Sequence, residues 1–278
     1  MNFRKLFLVL TLMVFIFTGN FSSNRTEIID LPQYVKEDAV LERERNHLIK
    51  LDGASNVRDL GGYKTQNGNI TKTKTFIRSD DTDELTENDI KILAALGVSD
   101  VIDLRDETAA KKWPDKLAND ENFNYHRITI PEAHRVSKGN YVKYLEYTGD
   151  GNIFKKFFDI AVQAEGAVLF HCVGGKDRTG VFSLILLLLA NVDLRTIIEN
   201  YVVSYDFIKD RPKIKLIIEN DVRALGESCL EPLHFSMEKN IISLINFIQS
   251  NYKNVEEFLI TCGISKQNIE KVKAKFIV

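Results

Sequence analysis

Val168-Leu169-Phe170-His171-Cys172-Val173-Gly174-Gly175-Lys176-Asp177-Arg178-Thr179-Gly180 decides how this chain is read. An apolar run feeds a Cys, then comes a Gly-rich turn, an Arg and a long apolar segment from Val181. That order predicts a strand, a tight loop and a helix whose N-terminus faces the loop. The Cys-x5-Arg spacing sets a thiol at one end of a backbone cradle and a guanidinium at the other. Inward amides and the positive end of the helix dipole favour an anion there. The same field favours the thiolate, the form of cysteine that attacks. Arg178 offers a planar fork that matches two phosphate oxygens. Gly174 and Gly175 allow the turn that a Cβ would obstruct. Thr179 is expected to donate its hydroxyl hydrogen to the Cys172 sulfur. His171 is expected to hydrogen-bond backbone near Cys172 and hold the loop shape, not to act as a general base. The chemistry implied is cysteine-dependent hydrolysis of a phosphate monoester, with Val173, Gly174, Gly175, Lys176 and Thr179 forming the substrate cradle.

Working outward, the 278 residues are 44% hydrophobic and 27% charged, enough to bury a large core. The net charge of −2 supplies no basic field for nucleic acid, so an anionic substrate must be drawn by a local site. The N-terminus reads as a secretion signal over 1–23: Arg4-Lys5, an apolar run from Leu6 to Phe17, then small residues. The run is short of the ~20 residues that span a bilayer, so export to the extracellular space is expected. An uncleaved membrane anchor is the alternative. Three cysteines, Cys172, Cys229 and Cys262, are too few for a disulfide framework, though Cys229 and Cys262 could pair outside the cell. The spacing of His, Cys and carboxylates suggests no metal, and no cofactor is expected.

Residues 24–50 are polar and charged and read as a leader arm packed on a catalytic domain over 51–278. Gly61-Gly62 and Asn67-Gly68 mark turns in a loop-and-hairpin region from Asn56 to Ile77. Thr86 with Asp89 reads as a helix start and Gly97 as its stop. Strands are expected at Val98–Leu104, Asn124–Ile130 and Ala167–Phe170. Helices are expected at Glu107–Trp113, Ile153–Ala164 and Arg178–Ala190, with several more from Asp193 onward. Pro131 to Tyr144 reads as a loop. Alternating strands and helices followed by helices predict an α/β fold: a central, mostly parallel sheet flanked by helices, with a helical C-terminal part. The Cys loop then falls at the C-terminal end of a central strand, where such sheets place their sites.

The run His171-Cys172-x-x-Gly-Lys176-Asp177-Arg178-Thr179-Gly180 resembles the loop of the bacterial tyrosine phosphatases that carry HCxxGKDRTG, a family with secreted members of mixed phosphotyrosine and phosphoinositide activity. Asn56-Val57-Arg58-Asp59-Leu60-Gly61-Gly62-Tyr63, Phe76-Ile77-Arg78-Ser79-Asp80 and Ile102-Asp103-Leu104-Arg105 resemble further blocks of that family. A weaker likeness lies in Val255-Glu256-Glu257-Phe258-Leu259 and Gly263-Ile264-Ser265. The resemblance implies the tyrosine phosphatase fold and a phosphocysteine intermediate on Cys172, with Arg178 and the loop amides holding the equatorial oxygens. Asp177, inside the cradle, and Asp103, near the end of a strand parallel to the catalytic one, both qualify as the acid, and Asp177 is preferred. Asp103 could equally be an ion-pair partner of Arg58, Arg78 or Arg105. Arg58 joins the substrate set, bracing the site with Asp59. Lys176 adds a second cation, which suits an inositol headgroup bearing several phosphates as well as phosphotyrosine, with phosphoserine or phosphothreonine in addition. His134, Arg135, Lys138 and Tyr141 are candidates for the substrate entrance. The expected partners are phosphorylated proteins or phosphoinositides, with no nucleic acid and membrane contact only through a lipid headgroup. Two other readings remain: a sulfurtransferase or arsenate reductase-like Cys-loop enzyme, and a non-catalytic phosphoinositide-binding module.

Overall fold

β1 (Arg58–Asp59), β2 (Phe76–Ser79), β3 (Val98–Asp103), β4 (Asn124–Arg127) and β5 (Ala167–His171) form one sheet in the order β1-β2-β5-β3-β4. The computed structural model describes residues 38–131, 141–150, 152–229 and 237–278. β1 runs antiparallel to β2, and the other three pairings are parallel. β5 is the central strand, and all five of its residues are buried. That burial explains its unbroken apolar run, since a parallel strand covered on both faces has no solvent side. Val168 and Phe170 enter one apolar cluster and Ala167 and Leu169 the other, as the period of two requires.

Helices cover both faces: α1 (Asp38–Arg45), α2 (Glu87–Ala95), α3 (Glu107–Lys112), α4 (Tyr141–Asp150), α5 (Ile153–Gln163), α6 (Asp177–Leu189), α7 (Leu194–Val202), α8 (Ser204–Ile208), α9 (Pro212–Leu225), α10 (Met237–Asn251), α11 (Val255–Thr261) and α12 (Lys266–Phe276). Phe157 of α5 meets the Phe170 ring edge-on at 5.3 Å and the Phe182 ring at 4.5 Å. Deleting a ring packed in this way costs roughly 3–5 kcal/mol. α6 is apolar almost all round and runs through the core. It comes close to α7 at Gly180, where a Cβ would lie 2.4 Å from the Tyr201 ring.

Local signals set several boundaries. Thr86 and Asp89 form a full capping box at the start of α2, and Gly97, at φ +83, follows its end. The turn at Asn67-Gly68 joins Lys64 to Ile70 across a short hairpin. Strand β4 ends at Arg127, shorter than expected. The loop expected through Tyr144 gives way to helix at Tyr141. Tyr141, Tyr144, Leu145 and Thr148 fall at helical spacing and are all buried, a periodicity masked in the sequence by their mixed polarity. Among the described residues, no helix is long and apolar enough to cross a membrane. The expected signal over 1–23 lies outside the described residues, as do His134, Arg135 and Lys138. So does the Cys229 side chain, and with it any pairing to Cys262.

Candidate active site

Cys172 follows β5 directly, and Asp177 opens α6, so the loop between them hangs from two buried elements. Its shape is imposed through carbonyls. Val173 O accepts from Asp81 N at 3.0 Å, and Gly174 O from Asn56 Nδ2 at 3.1 Å. Gly175 O accepts from Asn56 Nδ2 at 3.2 Å and from Arg78 Nη2 at 2.6 Å. These three carbonyls therefore face the scaffold. In a trans peptide the following N–H points the opposite way, so the amides of Gly174, Gly175 and Lys176 face the concave side. That arrangement is an anion cradle. Gly175 sits at φ +63, and a Cβ there would lie 2.6 Å from Ser79 O. No other residue fits both the conformation and the space.

The side chains around the cradle divide by role. Arg178 Nη1 donates to Ile130 O at 3.2 Å and stands 3.8 Å from Asp106 Oδ2. Asp106 caps α3 through Oδ1, and its buried Oδ2 makes no hydrogen bond, so its charge is directed at the guanidinium. Lys176 Nζ lies 3.6 Å from Asp177 Oδ2. Asp177 Oδ1 accepts from the Tyr141 hydroxyl and, at 3.4 Å, from the Tyr201 hydroxyl. Tyr141 thus meets the loop as an Asp177 partner. His171 Nδ1 is 3.3 Å from Cys172 O, the backbone contact expected of it, and Nε2 is 2.9 Å from Asp115 Oδ2. Burial disfavours the His171 cation, but the Asp115 and Asp103 carboxylates outweigh it and raise its pKa.

This geometry selects the ion-pair reading of Asp103 over the acid and corrects the roles expected of Arg58 and Thr179. Asp103 is fully buried beside His171, and both oxygens are engaged: Oδ1 by Arg105 N and Nε, Oδ2 by Arg105 Nη2 and the Tyr125 hydroxyl. Burial would raise it, yet His171 and Arg105 hold it well below the ordinary carboxylate range. A carboxylate so held is an ion-pair partner of Arg105. Arg58 is also fully buried. It binds Glu44 Oε2 at 2.9 Å, Asn200 O at 2.9 Å and Ser204 Oγ at 2.9 Å, so its guanidinium is engaged within the protein. Its brace with Asp59 is separate: Asp59 accepts from Gly61 N and Lys74 N. Thr179 donates to Ser79 O at 3.5 Å instead of to sulfur, because this face of α6 turns toward β2.

Asp103, Asp115 and His171 bring ligand-type atoms within 4.8 Å of one another, a grouping that sequence spacing did not reveal. Arg105 bonds both carboxylates and occupies the position of counter-charge.

A family model described as the tyrosine phosphatase family matches residues 49–278. The chain belongs to that family. A tyrosine-protein phosphatase of Nostoc commune is 33% identical over 220 residues, 72% of this chain and 73% of that protein. A second relative, from Cupriavidus necator, is 29% identical over 175 residues, 57% of this chain and 63% of that protein. The crystal structure of P. aeruginosa TpbA is 18% identical, covers 58% of this chain and 89% of that one, and superposes at a TM-score of 0.32. Family membership makes this chain a phosphatase enzyme.

Asn56, Asp80 and Asp106, without an assigned role in the sequence, and Arg78, offered there as an Asp103 partner, complete the site. Asn56 and Arg78 hold the loop carbonyls, Asp80 holds the Ser55 and Asn56 amides, and Asp106 aims Arg178. Asp106 had a findable signal as the residue before Glu107, where a helix start calls for a side-chain acceptor. Tyr201 had none, since its link to Asp177 depends on how α6 and α7 pack.

Proposed function

We propose that this tyrosine phosphatase family member is exported and hydrolyses phosphotyrosine and phosphoinositide monoesters through a phosphocysteine intermediate on Cys172. The observation that carries this reading is the set of three outward-turned loop carbonyls, which leaves the amides free for phosphate oxygens beside Cys172 and Arg178. In this reading Cys172 attacks phosphorus in line, Arg178 and the amides hold the equatorial oxygens, and Asp177 protonates the leaving oxygen. Val173, Gly174 and Gly175 supply the cradle backbone, and Thr179 supports it from behind. Lys176 ends the loop just before Arg178, so the cradle carries two cations, one more than a single phosphate fork needs. That second cation supports a headgroup bearing more than one phosphate. The leader at 1–23 supports export.

The test is phosphate release by purified protein on a phosphotyrosine peptide and a phosphoinositide panel, beside Cys172→Ser. The expected result is turnover of both substrate classes by wild type and none by the variant. Equal release by both proteins defeats the assignment. Turnover of peptide alone removes the lipid part. The mature N-terminus of protein recovered from culture medium, read by mass spectrometry, tests export.

A further inference from the structure

Asp177 presents two unlike oxygens. Oδ1 accepts from the Tyr141 hydroxyl of α4 and the Tyr201 hydroxyl of α7, whereas Oδ2 has Lys176 Nζ at 3.6 Å. Both rings are buried, and both belong to helices outside the Cys loop. Tyr201 is fixed further by its close approach to Gly180. Burial and then the Asp177 charge push both phenols well above 10, so they keep their protons and remain donors.

We propose that Tyr141 and Tyr201 are positioning residues that reserve Oδ1 and so make Oδ2 of Asp177 the oxygen that gives and takes the proton. This rests on the reading of Asp177 as the acid. While both hydroxyls donate to Oδ1, the added proton sits on Oδ2, from which Lys176 Nζ at 3.6 Å stands beyond hydrogen-bond length. In the first step the sulfur–phosphorus bond forms as the ester phosphorus–oxygen bond breaks. The bonding pair leaves with the ester oxygen, which takes the Oδ2 proton. In the second step water oxygen bonds phosphorus and its proton passes to Oδ2. The sulfur–phosphorus bond then breaks, its pair returns to sulfur, and phosphate departs. A phenol pair that holds one oxygen keeps the other aimed through both steps.

The test compares kcat on p-nitrophenyl phosphate, whose leaving oxygen needs no proton, with kcat on phenyl phosphate, whose leaving oxygen does. Wild type, Asp177→Asn, Tyr141→Phe and Tyr201→Phe are measured. Each ratio is taken on a single sample, so a partly unfolded variant does not distort it. Asp177→Asn is expected to lower the phenyl to p-nitrophenyl ratio most. Tyr141→Phe should lower it about tenfold with KM for each substrate held, the effect of losing one hydrogen bond to a charged group. Tyr201→Phe should lower it less, in keeping with its longer contact. If Asp177→Asn shifts the ratio and Tyr141→Phe does not, the phenol inference falls and the acid reading stands. If Asp177→Asn itself leaves the ratio at the wild-type value, the acid reading falls and takes the phenol inference with it.

Discussion

β5 is braced on both sides, and the two braces differ in their buried charge. On the β2 side, Arg58 and Arg78 are paired across β1 and β2 and are both fully buried, with Glu44 as the carboxylate beneath them. Burial and the adjacent Arg58 guanidinium push Arg78 well below the ordinary arginine value. On the β3 side, Asp103 and Asp115 face the buried Arg105 and His171, with Arg127 Nε 3.9 Å from Asp103 Oδ2. The β2 side therefore offers buried positive charge to whatever occupies the cradle. The β3 side holds the strand end with a closed set of ion pairs. Under the proposed mechanism, substrate attraction and the rigidity of Cys172 would fall to different neighbours of one strand. Buried polar networks of both kinds are costly when broken, because the surviving partners stay in low dielectric.

Breaking the β2 brace should have the largest effect. Glu44 Oε2 accepts from Arg58 Nη1 at 2.9 Å, the Tyr63 hydroxyl at 2.8 Å and Asn200 Nδ2 at 3.1 Å. Glu44→Ala strands two buried guanidiniums without a counter-charge, at a cost of about 3–5 kcal/mol. Urea unfolding of the variant measures it, and a loss under 1 kcal/mol would show that solvent reaches the cluster. Gly175→Ala comes next. It strains the junction of the brace with the cradle, where φ is +63 and the new Cβ meets Ser79 O, at roughly 1–3 kcal/mol. Its activity should fall more than its stability, since the amide of Lys176 turns with the peptide. Equal losses would place the strain elsewhere.

The β3 brace gives a smaller effect with a distinct pH signature. Asp115→Asn removes one charged partner of His171, worth about 1.5–3 kcal/mol. Despite burial, His171 pulls Asp115 below its ordinary 3.8, and Asp115 helps lift His171 above 6.5. The lowered carboxylate contributes stability above 3.8 that is lost as pH falls through its folded value. The raised imidazole contributes stability that is complete below 6.5 and lost as pH rises through its folded value. The wild-type advantage over Asp115→Asn should therefore be greatest between 3.8 and 6.5 and decline on both sides. An advantage that is constant with pH would mean that the imidazole stays neutral.

The two braces also differ in how far the sequence revealed them. The cradle was legible because its residues are consecutive: Cys172, the glycines and Arg178 state their geometry in a thirteen-residue stretch. The central strand and α6 followed from the apolar runs on either side. The braces are nonlocal. Arg58 finds Glu44 on α1 and Asn200 on α7, partners 14 and 142 residues away. A fully buried arginine reads in sequence like an exposed one, which is why Arg58 was placed with the substrate residues. For Asp103 the sequence leaves acid and ion-pair partner both open, for a related reason. Its strand position was right, but the Asp103–Arg105 pairing depends on a tight turn of the chain just past the strand end.

A weaker contact sharpens the comparison from outside the braces. Asp81 donates its backbone N–H to Val173 O, while its carboxylate lies 2.7 Å from Lys213 Nζ and 3.0 Å from Arg211 Nη1 at the start of α9. Burial first, then the neighbouring Asp83 and Asp80 charges, raise it from 3.8 to about 6, against the pull of Lys213. Between those two values the unfolded chain has released its proton and the folded chain still holds it. Stability from this group is complete below 3.8 and falls as pH rises through about 6. Asp81→Asn keeps the backbone bond to the loop and removes the titration. The wild-type minus Asp81→Asn difference in unfolding free energy should therefore decline between 3.8 and about 6 and flatten above. Its slope is opposite to the acid limb of Asp115, so the two variants measured over one pH series separate a carboxylate that a brace stabilises from one that burial penalises. A difference that rises through the same window would show that Lys213 and Arg211 dominate, and that α9 clamps the loop as firmly as either neighbour of β5.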